Sequence, residues 1–298
     1  MLWWNPARIF HESAYGGPRA WPWYQEASMD EGLKNTAVDC VRKGGAILLD
    51  YHNRLQTLQV RSKSRFDYVT EADLAAQEAI VNLIRSRYPK HDILAEEGTR
   101  TKSKDANRWL VDPLDGTTNF IHGFPVFAVS VALEQRDSIV LGAVYDPCRN
   151  ELFLAQRGES ATLNGRSIKV STRRIPDQAL VATAFPWREK SILSRYFEGF
   201  TQVFTKVNDI RRTGSAALDL AYVACGRCDG FWELGLSPWD IAAGDLLVRE
   251  AGGYISDFAG GSDHIWVGDV VAGNQAIHAF LLGIIQGVFG GNISVQKA

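Results

Sequence analysis

Cysteine is the first scarcity: the chain holds four in 298 residues, spaced for neither a zinc site nor a disulfide framework. Cys40 and Cys148 stand alone, while Cys225 and Cys228 form a single CxxC around Gly226-Arg227. Zinc would need two further soft ligands at matching spacing, and the chain has no second pair. The CxxC leaves a redox role open, against the plainer reading of four reduced thiols in a cytoplasmic protein. Histidine is sparse too: six scattered residues contain no HExxH pair, which removes the usual helical zinc-hydrolase arrangement. No apolar run approaches the roughly 20 residues of a membrane helix, so no membrane partner is expected. The most apolar stretch, Ala279 to Phe289, is broken by Gly283 and Gly287 and reads as a packed terminal helix. Neither sign of charge dominates. A net charge of −2 gives no general support for nucleic-acid binding.

What is present is an ordinary globular balance, 46% hydrophobic and 22% charged, with ample material for a core. Residues 1–28 differ from the rest. They hold Trp3, Trp4, Trp21 and Trp23, three prolines and a Gly16-Gly17 pair, with no sustained periodicity. They also lack the continuous apolar middle and cleavage site of a signal peptide. Helical patterning starts straight after Met29, so 1–28 is expected to be a flexible, non-core N-terminal extension. No Pro- or Ser-rich linker divides the chain beyond Met29. One catalytic domain at 29–290, with interlocked subdomains of about 29–150 and 151–290, fits better than independent units.

Leu33 to His52 carries the spacing of an amphipathic helix. Thr70-Glu71-Ala72-Asp73 opens a second helix with a Thr cap and an acidic first turn, which should stop before Pro89. Asp92 to Gly98 reads as a short strand ending in Glu96, Glu97 and a glycine. Phe127 to Leu133, Ile139 to Tyr145 and Glu151 to Ala155 read as strands, and Asn164-Gly165 as a hairpin turn. Strands at Leu180 to Thr183 and Gly230 to Glu233 then alternate with helices from Ser191, from Ser215 and from Pro238.

The most informative stretch is Trp109 to Phe120, Trp-Leu-Val-Asp-Pro-Leu-Asp-Gly-Thr-Thr-Asn-Phe. It reads as a short strand, Trp109 to Val111, followed by Asp112 and Asp115 and then a polar turn with helix-start chemistry. Such a turn can offer carboxylate oxygens to a hard cation and backbone N–H groups to a phosphate. It could equally be a plain strand-to-turn connection. Glu96, Asp112, Asp115 and Asp240 all stand at strand ends or helix starts, with Asp73 at another helix start. Gly98, Gly116 and Gly214, with Thr117, Thr118 and Ser215, accompany them. Carboxylates gathered together repel unless a cation intervenes, and an all-oxygen donor set favours Mg²⁺.

Glu96-Glu97-Gly98, Asp112-Pro-Leu-Asp-Gly-Thr-Thr-Asn-Phe120 and Pro238-Trp-Asp-Ile-Ala-Ala-Gly244 resemble the motifs of the inositol monophosphatase family. The resemblance spans roughly Met29 to Leu282. Arg211 to Tyr222 and Leu247 to Gly253 are similar to its bacterial SuhB-like branch. It implies an α/β fold, a layered α-β-α-β-α sandwich of the sugar-phosphatase type, and Mg²⁺-dependent hydrolysis of small phosphate monoesters. The implied metal ligands are Glu96, Asp112, the Leu114 carbonyl, Asp115 and Asp240. Glu96 and Thr117 would activate water, with Asp73 fixing the Thr117 hydroxyl. Backbone N–H groups of Gly116 and Thr117 would hold phosphate. Asp115, Ala216 and Glu233 would meet substrate hydroxyls, and Lys63 would be a loop contact near the metals.

A phosphorylated polyol, myo-inositol monophosphate first, is the substrate class this implies. Histidinol phosphate, nucleotide 3′-phosphates and fructose bisphosphate are the alternatives within the wider superfamily. The resemblance also implies a homodimer, lithium sensitivity and a cytoplasmic location. It brings in a different class of function as well, since the SuhB-like branch is associated with RNA polymerase in Nus-type antitermination complexes. Arg173, Arg174, Arg211 and Arg212 are candidate surface contacts for such a partner, although the last two could serve the structure instead.

Overall fold

A computed structural model describes residues 31–64, 67–101, 106–186 and 190–293, so the extension expected at 1–28 lies outside the described residues. Helix α1 (Glu31–His52) is followed by an antiparallel strand pair, β1 (Val60–Ser64) and β2 (Asp67–Thr70), and by helix α2 (Glu71–Arg87). Next come β3 (Asp92–Ala95), β4 (Asn107–Asp115) and the short α3 (Thr117–Ile121). Strands β5 (Ala128–Gln135), β6 (Ser138–Asp146), β7 (Glu151–Gln156), β8 (Thr162–Leu163) and β9 (Arg166–Ser167) complete the first sheet. That sheet has seven strands in sequence order, β3 to β9, so it extends to Ser167.

The second sheet takes β10 (Leu180–Thr183), β11 (Asp209–Arg211), β12 (Gly230–Glu233), β13 (Tyr254–Ser256) and β14 (Val270–Gly273). Their order, β11-β10-β12-β14-β13, puts β12 in the centre. Between them run α4 (Leu193–Phe204), α5 (Ala216–Ala224), α6 (Pro238–Glu250) and α7 (His264–Val267), and α8 (Gln275–Phe289) closes the fold.

The alternation of side chains along each strand explains the layers. On β5 and β6, paired Val129 and Tyr145 face α1, where Gly44 and Gly45 leave room for them. Ser130 and Gly142, of the opposite parity on their strands, face α6 instead. A Cβ at Gly142 would lie 2.8 Å from the Ala243 carbonyl oxygen, so glycine lets helix and sheet backbones touch. On the second sheet, Ala182, Phe231 and Ala272 point into the core shared with α5 and α6. Val181, Trp232 and Val271 point to the other face, against α4 and α8. The order of layers is therefore α1/α2, first sheet, α5/α6, second sheet, α4/α8. This is the expected α-β-α-β-α sandwich. Trp109, Phe153, Phe231 and Trp232 are among the largest fully buried side chains, each worth about 1.5–3 kcal/mol or more.

One local expectation is corrected. The strand that begins the Asp112 motif does not stop at Val111 but runs to Asp115. Asp112 pairs with Ser130 and Asp115 with Ala128, so three steps on β4 oppose two on β5. This is a bulge, and it accommodates Pro113, which has no N–H to give to the ladder. The Asn164-Gly165 turn forms as expected, with both residues at positive φ between paired Leu163 and Arg166.

Candidate active site

Helix α2 sets one wall. Thr70 caps it by accepting the Ala72 and Asp73 N–H groups, and Asp73 Oδ2 accepts the Thr70 N–H at 2.8 Å. This capping box fixes the Asp73 side chain. Its other oxygen, Oδ1, accepts the Thr117 hydroxyl at 3.3 Å, across 44 residues of sequence. The same hydroxyl lies 3.1 Å from the Leu114 carbonyl oxygen. Burial, reinforced by Glu96, pushes Asp73 up to about 6, although its bonds to Thr70 pull the other way.

The exit of β3 sets the second wall. Glu96 and Glu97 precede Gly98, whose φ of +80° closes the turn. Lys63, arriving from β1, bonds Glu96 Oε1 at 3.1 Å and also Glu97. The expected loop lysine therefore reaches the acidic wall. Its carboxylate partners raise its pKa despite the opposing effect of burial. Burial and the neighbouring Glu96 lift Glu97 to about 7.

The end of β4 lies between these walls. Asp112, 1% exposed, accepts the Leu114 N–H at 2.9 Å and so shapes the turn beyond it. Asp115 Oδ2 accepts the Ser215 hydroxyl at 2.6 Å and the Ala217 N–H at 2.7 Å. That carboxylate therefore sits on the first turn of α5, where the helix dipole favours negative charge. Gly116 has a φ of +95°, and a Cβ there would meet the Val126 and Gly214 carbonyl oxygens at 3.0 and 3.2 Å. Asn119 ties the loop down by donating to Val126 and Thr213 carbonyls, both at 2.8 Å.

The middle helix layer supplies the rest. Ser215 caps α5, and Asp240 forms a capping box with Ser237 at the start of α6, accepting its N–H at 2.7 Å. Ala216 is buried in the first turn of α5. Glu233 ends the central strand of the second sheet, 8% exposed, and accepts no hydrogen bond among the described residues. Glu96, Asp112, Leu114, Asp115, Gly116, Thr117, Ala216, Glu233 and Asp240 all line one cleft of about 690 Å³. Asp73 stands behind Thr117, and Lys63 reaches the site through Glu96.

The electrostatics carry one message. Burial comes first, and then Glu96, Asp115 and Asp240 hold Asp112 well above the ordinary carboxylate range. Burial and Asp240 push Asp115 up to about 7. Burial and Asp219 likewise raise Glu233, with Arg212 opposing. A wall of oxygen donors that resist ionising together suits a hard divalent cation. Among the described residues no group of three or more His, Cys, Asp or Glu side chains is arranged to hold a metal ion by itself. Mg²⁺ does not require one, because it keeps waters and substrate phosphate in its shell.

Gln77 carried no local signal, and Arg212, expected on the surface or in the structure, lines the cleft instead. Burial raises both thiols of the CxxC, Cys228 to about 12, which disfavours the reactive thiolate. Arg173 and Arg211 are committed to ion pairs with Asp229 and Asp209, whereas Arg212 lines the cleft. His122 also lines it.

Residues 29–288 match the model of the inositol monophosphatase family. The chain belongs to that family. It is 47% identical over 246 residues to the Nus factor SuhB of Escherichia coli K12, covering 82% of this chain and 92% of that protein. The crystal structure of the extragenic suppressor protein suhB from Bartonella henselae superposes with a TM-score of 0.83. It shares 43% identity and covers 86% of this chain and 98% of its own. An inositol monophosphatase from Anabaena gives a TM-score of 0.75 at 36% identity, covering 87% and 96%. No described helix is long and apolar enough to cross a membrane.

Proposed function

We propose that this family member is a Mg²⁺-dependent phosphatase acting on small phosphate monoesters, with myo-inositol monophosphate as the leading substrate. The observation that carries the reading is one cleft in which Glu96, Asp115 and Asp240 raise the proton affinity of Asp112, and Asp240 that of Asp115, beside an Asp73-held Thr117. Glu96, Asp112, the Leu114 carbonyl, Asp115 and Asp240 would hold the metal. Bound Mg²⁺ would polarise the phosphoryl group, stabilise the leaving alkoxide and make water acidic enough to react.

The chain's own groups would do the remaining work. The Thr117 hydroxyl would donate to Asp73 Oδ1, with the Leu114 carbonyl also within reach, which leaves a Thr117 lone pair to accept a hydrogen bond from the attacking water. Glu96 would take the second role, as general base. The N–H groups of Gly116 and Thr117 donate to no protein acceptor among the described residues and would bind phosphate oxygens. Glu233, whose carboxylate has no hydrogen-bond partner among the described residues, would accept bonds from vicinal hydroxyls of a polyol beside Asp115 and Ala216. No covalent phosphoenzyme is needed, because direct attack by water completes the reaction.

Phosphate release from inositol 1-phosphate with and without Mg²⁺ tests this reading. A panel containing histidinol phosphate, a nucleotide 3′-phosphate and fructose bisphosphate tests the substrate. Preference for fructose bisphosphate would overturn the monophosphate assignment. Arg212 on the cleft wall makes that comparison worth running.

A second reading is favoured by the relatives, several of which carry the name Nus factor SuhB at 44–47% identity. On this reading the chain is also a partner of an RNA polymerase antitermination complex. Asp112→Asn separates the two roles: phosphatase activity should disappear while complex assembly persists. Loss of both together would tie assembly to the cleft. We further propose a homodimer. Exposed Phe185, Phe197 and Phe204, 38–51% accessible around α4, form an apolar surface suited to self-association, which sedimentation would measure.

A further inference from the structure

We infer that Gln77 is a positioning residue for the metal-binding wall, an inference that rests on the proposed Mg²⁺ chemistry. Gln77 lies on α2, one turn beyond Asp73, and is 6% exposed. Its carboxamide is used at both ends. Oε1 accepts the Glu97 N–H at 2.9 Å, while Nε2 donates to the Glu97 carbonyl at 3.1 Å and to Thr99 Oγ1 at 3.2 Å.

This is the pairing a neighbouring strand would give to residue 97, supplied instead by one side chain. The turn needs it. Glu96 N–H is taken by Val111 and Ala95 N–H by the Thr99 carbonyl, while Glu97 has no backbone partner for its N–H or its carbonyl among the described residues. Left alone, each of these part-buried groups would go unpaired, which costs stability. More importantly, the peptide on either side of Glu97 would be free to rotate, and Glu96 shares one of those peptides.

The consequence is geometric. Helix α2 holds Thr117 through Asp73 and the Glu96–Glu97 turn through Gln77, residues four apart on one helix face. A single rigid element therefore sets the distance between the two groups expected to handle the attacking water. Lys63 cannot replace the clamp, since it grips the two carboxylates and leaves the backbone between them unconstrained. A glutamate at 77 would keep the acceptor and lose the donor, and so would hold the turn by one bond only.

The test uses the full chain with Gln77→Leu and Gln77→Glu. Three quantities are measured: Mg²⁺ affinity by calorimetry, amide hydrogen exchange at Glu97, and kcat and KM for inositol 1-phosphate at saturating Mg²⁺. Removing an outer partner of a metal ligand commonly costs 10–100-fold. Gln77→Leu should weaken Mg²⁺ binding and lower kcat by that factor, speed Glu97 exchange, and leave KM within about twofold. Gln77→Glu should give a smaller change of the same sign, and it carries the test alone if the leucine variant does not fold. Parental Mg²⁺ affinity and kcat in a folded variant with faster Glu97 exchange would overturn the positioning role. Absence of Mg²⁺ binding by the parent would instead sink the phosphatase reading, and this inference with it.

Discussion

Replacing Asp115 by asparagine should stabilise the metal-free protein while destroying its Mg²⁺ response. In the fold, burial and Asp240 raise the Asp115 carboxyl from 3.8 to about 7. The sign is set by linkage. Between these values the unfolded chain has released its proton and the folded chain has not, so stability falls as pH rises. At pH 7.5 the gap is roughly three pH units, or about 4 kcal/mol held against folding. Asp112 and Asp240 share that repulsion, so removing one member releases only part of it, about 1–3 kcal/mol. An asparagine Oδ1 can still accept the Ser215 hydroxyl and the Ala217 N–H, which keeps the geometry.

For a domain of this size the gain corresponds to a rise in Tm of about 2–8 °C. It should shrink to less than half at pH 5, be small at pH 4 and vanish below about pH 3, where both states keep the proton. Added Mg²⁺ should stabilise the parent by about 2.7 kcal/mol at a hundred times its Kd. The variant should lose that response, together with at least about a hundredfold in kcat. Thermal unfolding at pH 4, 5 and 7.5, with and without Mg²⁺, reads all of this. A variant less stable than its parent at every pH without metal would refute the reasoning.

Thr117→Ala should lower kcat by about a hundredfold or more, leave Mg²⁺ affinity near parental and change KM little, since a positioned proton acceptor acts only in the transition state. Parental kcat in that variant would remove Thr117 from the chemistry. His278 offers a stability test away from the cleft, because burial, with Arg249 and His264, pushes its pKa down to about 4. Its folded value lies below the ordinary 6.5, so stability is lost as pH falls from 6.5 towards 4. Discounted for its partial exposure, the loss is about 1–2 kcal/mol. His278→Gln should flatten the urea midpoint between pH 7 and pH 5, and an unchanged slope would discard the assignment.

Local chemistry made much of this molecule legible. The spacing of Leu33, Ala37, Val41 and Leu48 marks the buried face of α1, and all four are under 9% exposed. Thr70 and Asp73 announced a helix start that doubles as a site wall. What stayed hidden depends on long-range pairing. The extension of β4 through Pro113 requires the partner register of β5, which a proline argues against when read alone. Lys63 meets Glu97 34 residues away, across a hairpin whose position no local pattern specifies. Gln77 looks like any polar residue of an amphipathic helix until the Glu97 turn is laid against it. Arg212 and Asp219 face Glu233 because two layers converge there, which spacing does not encode.

That convergence also explains how so acidic a site can be folded at all. Lys63 is the one cation bonded to Glu96 and Glu97 among the described residues, and no ion pair reaches Asp112 or Asp115 there. Three other carboxylates are held by backbone N–H groups and hydroxyls at the starts of helices: Asp73 at α2, Asp115 at α5 and Asp240 at α6. Helix starts carry partial positive charge that cannot diffuse away or be titrated. They restrain the carboxylates without placing a competing cation among them, so the oxygens stay available to a divalent ion. Because α5 and α6 form the middle layer, packed between two sheets, their N-termini are fixed by the core rather than by the surface. The five-layer architecture is thus the device that lets repelling side chains share one cleft.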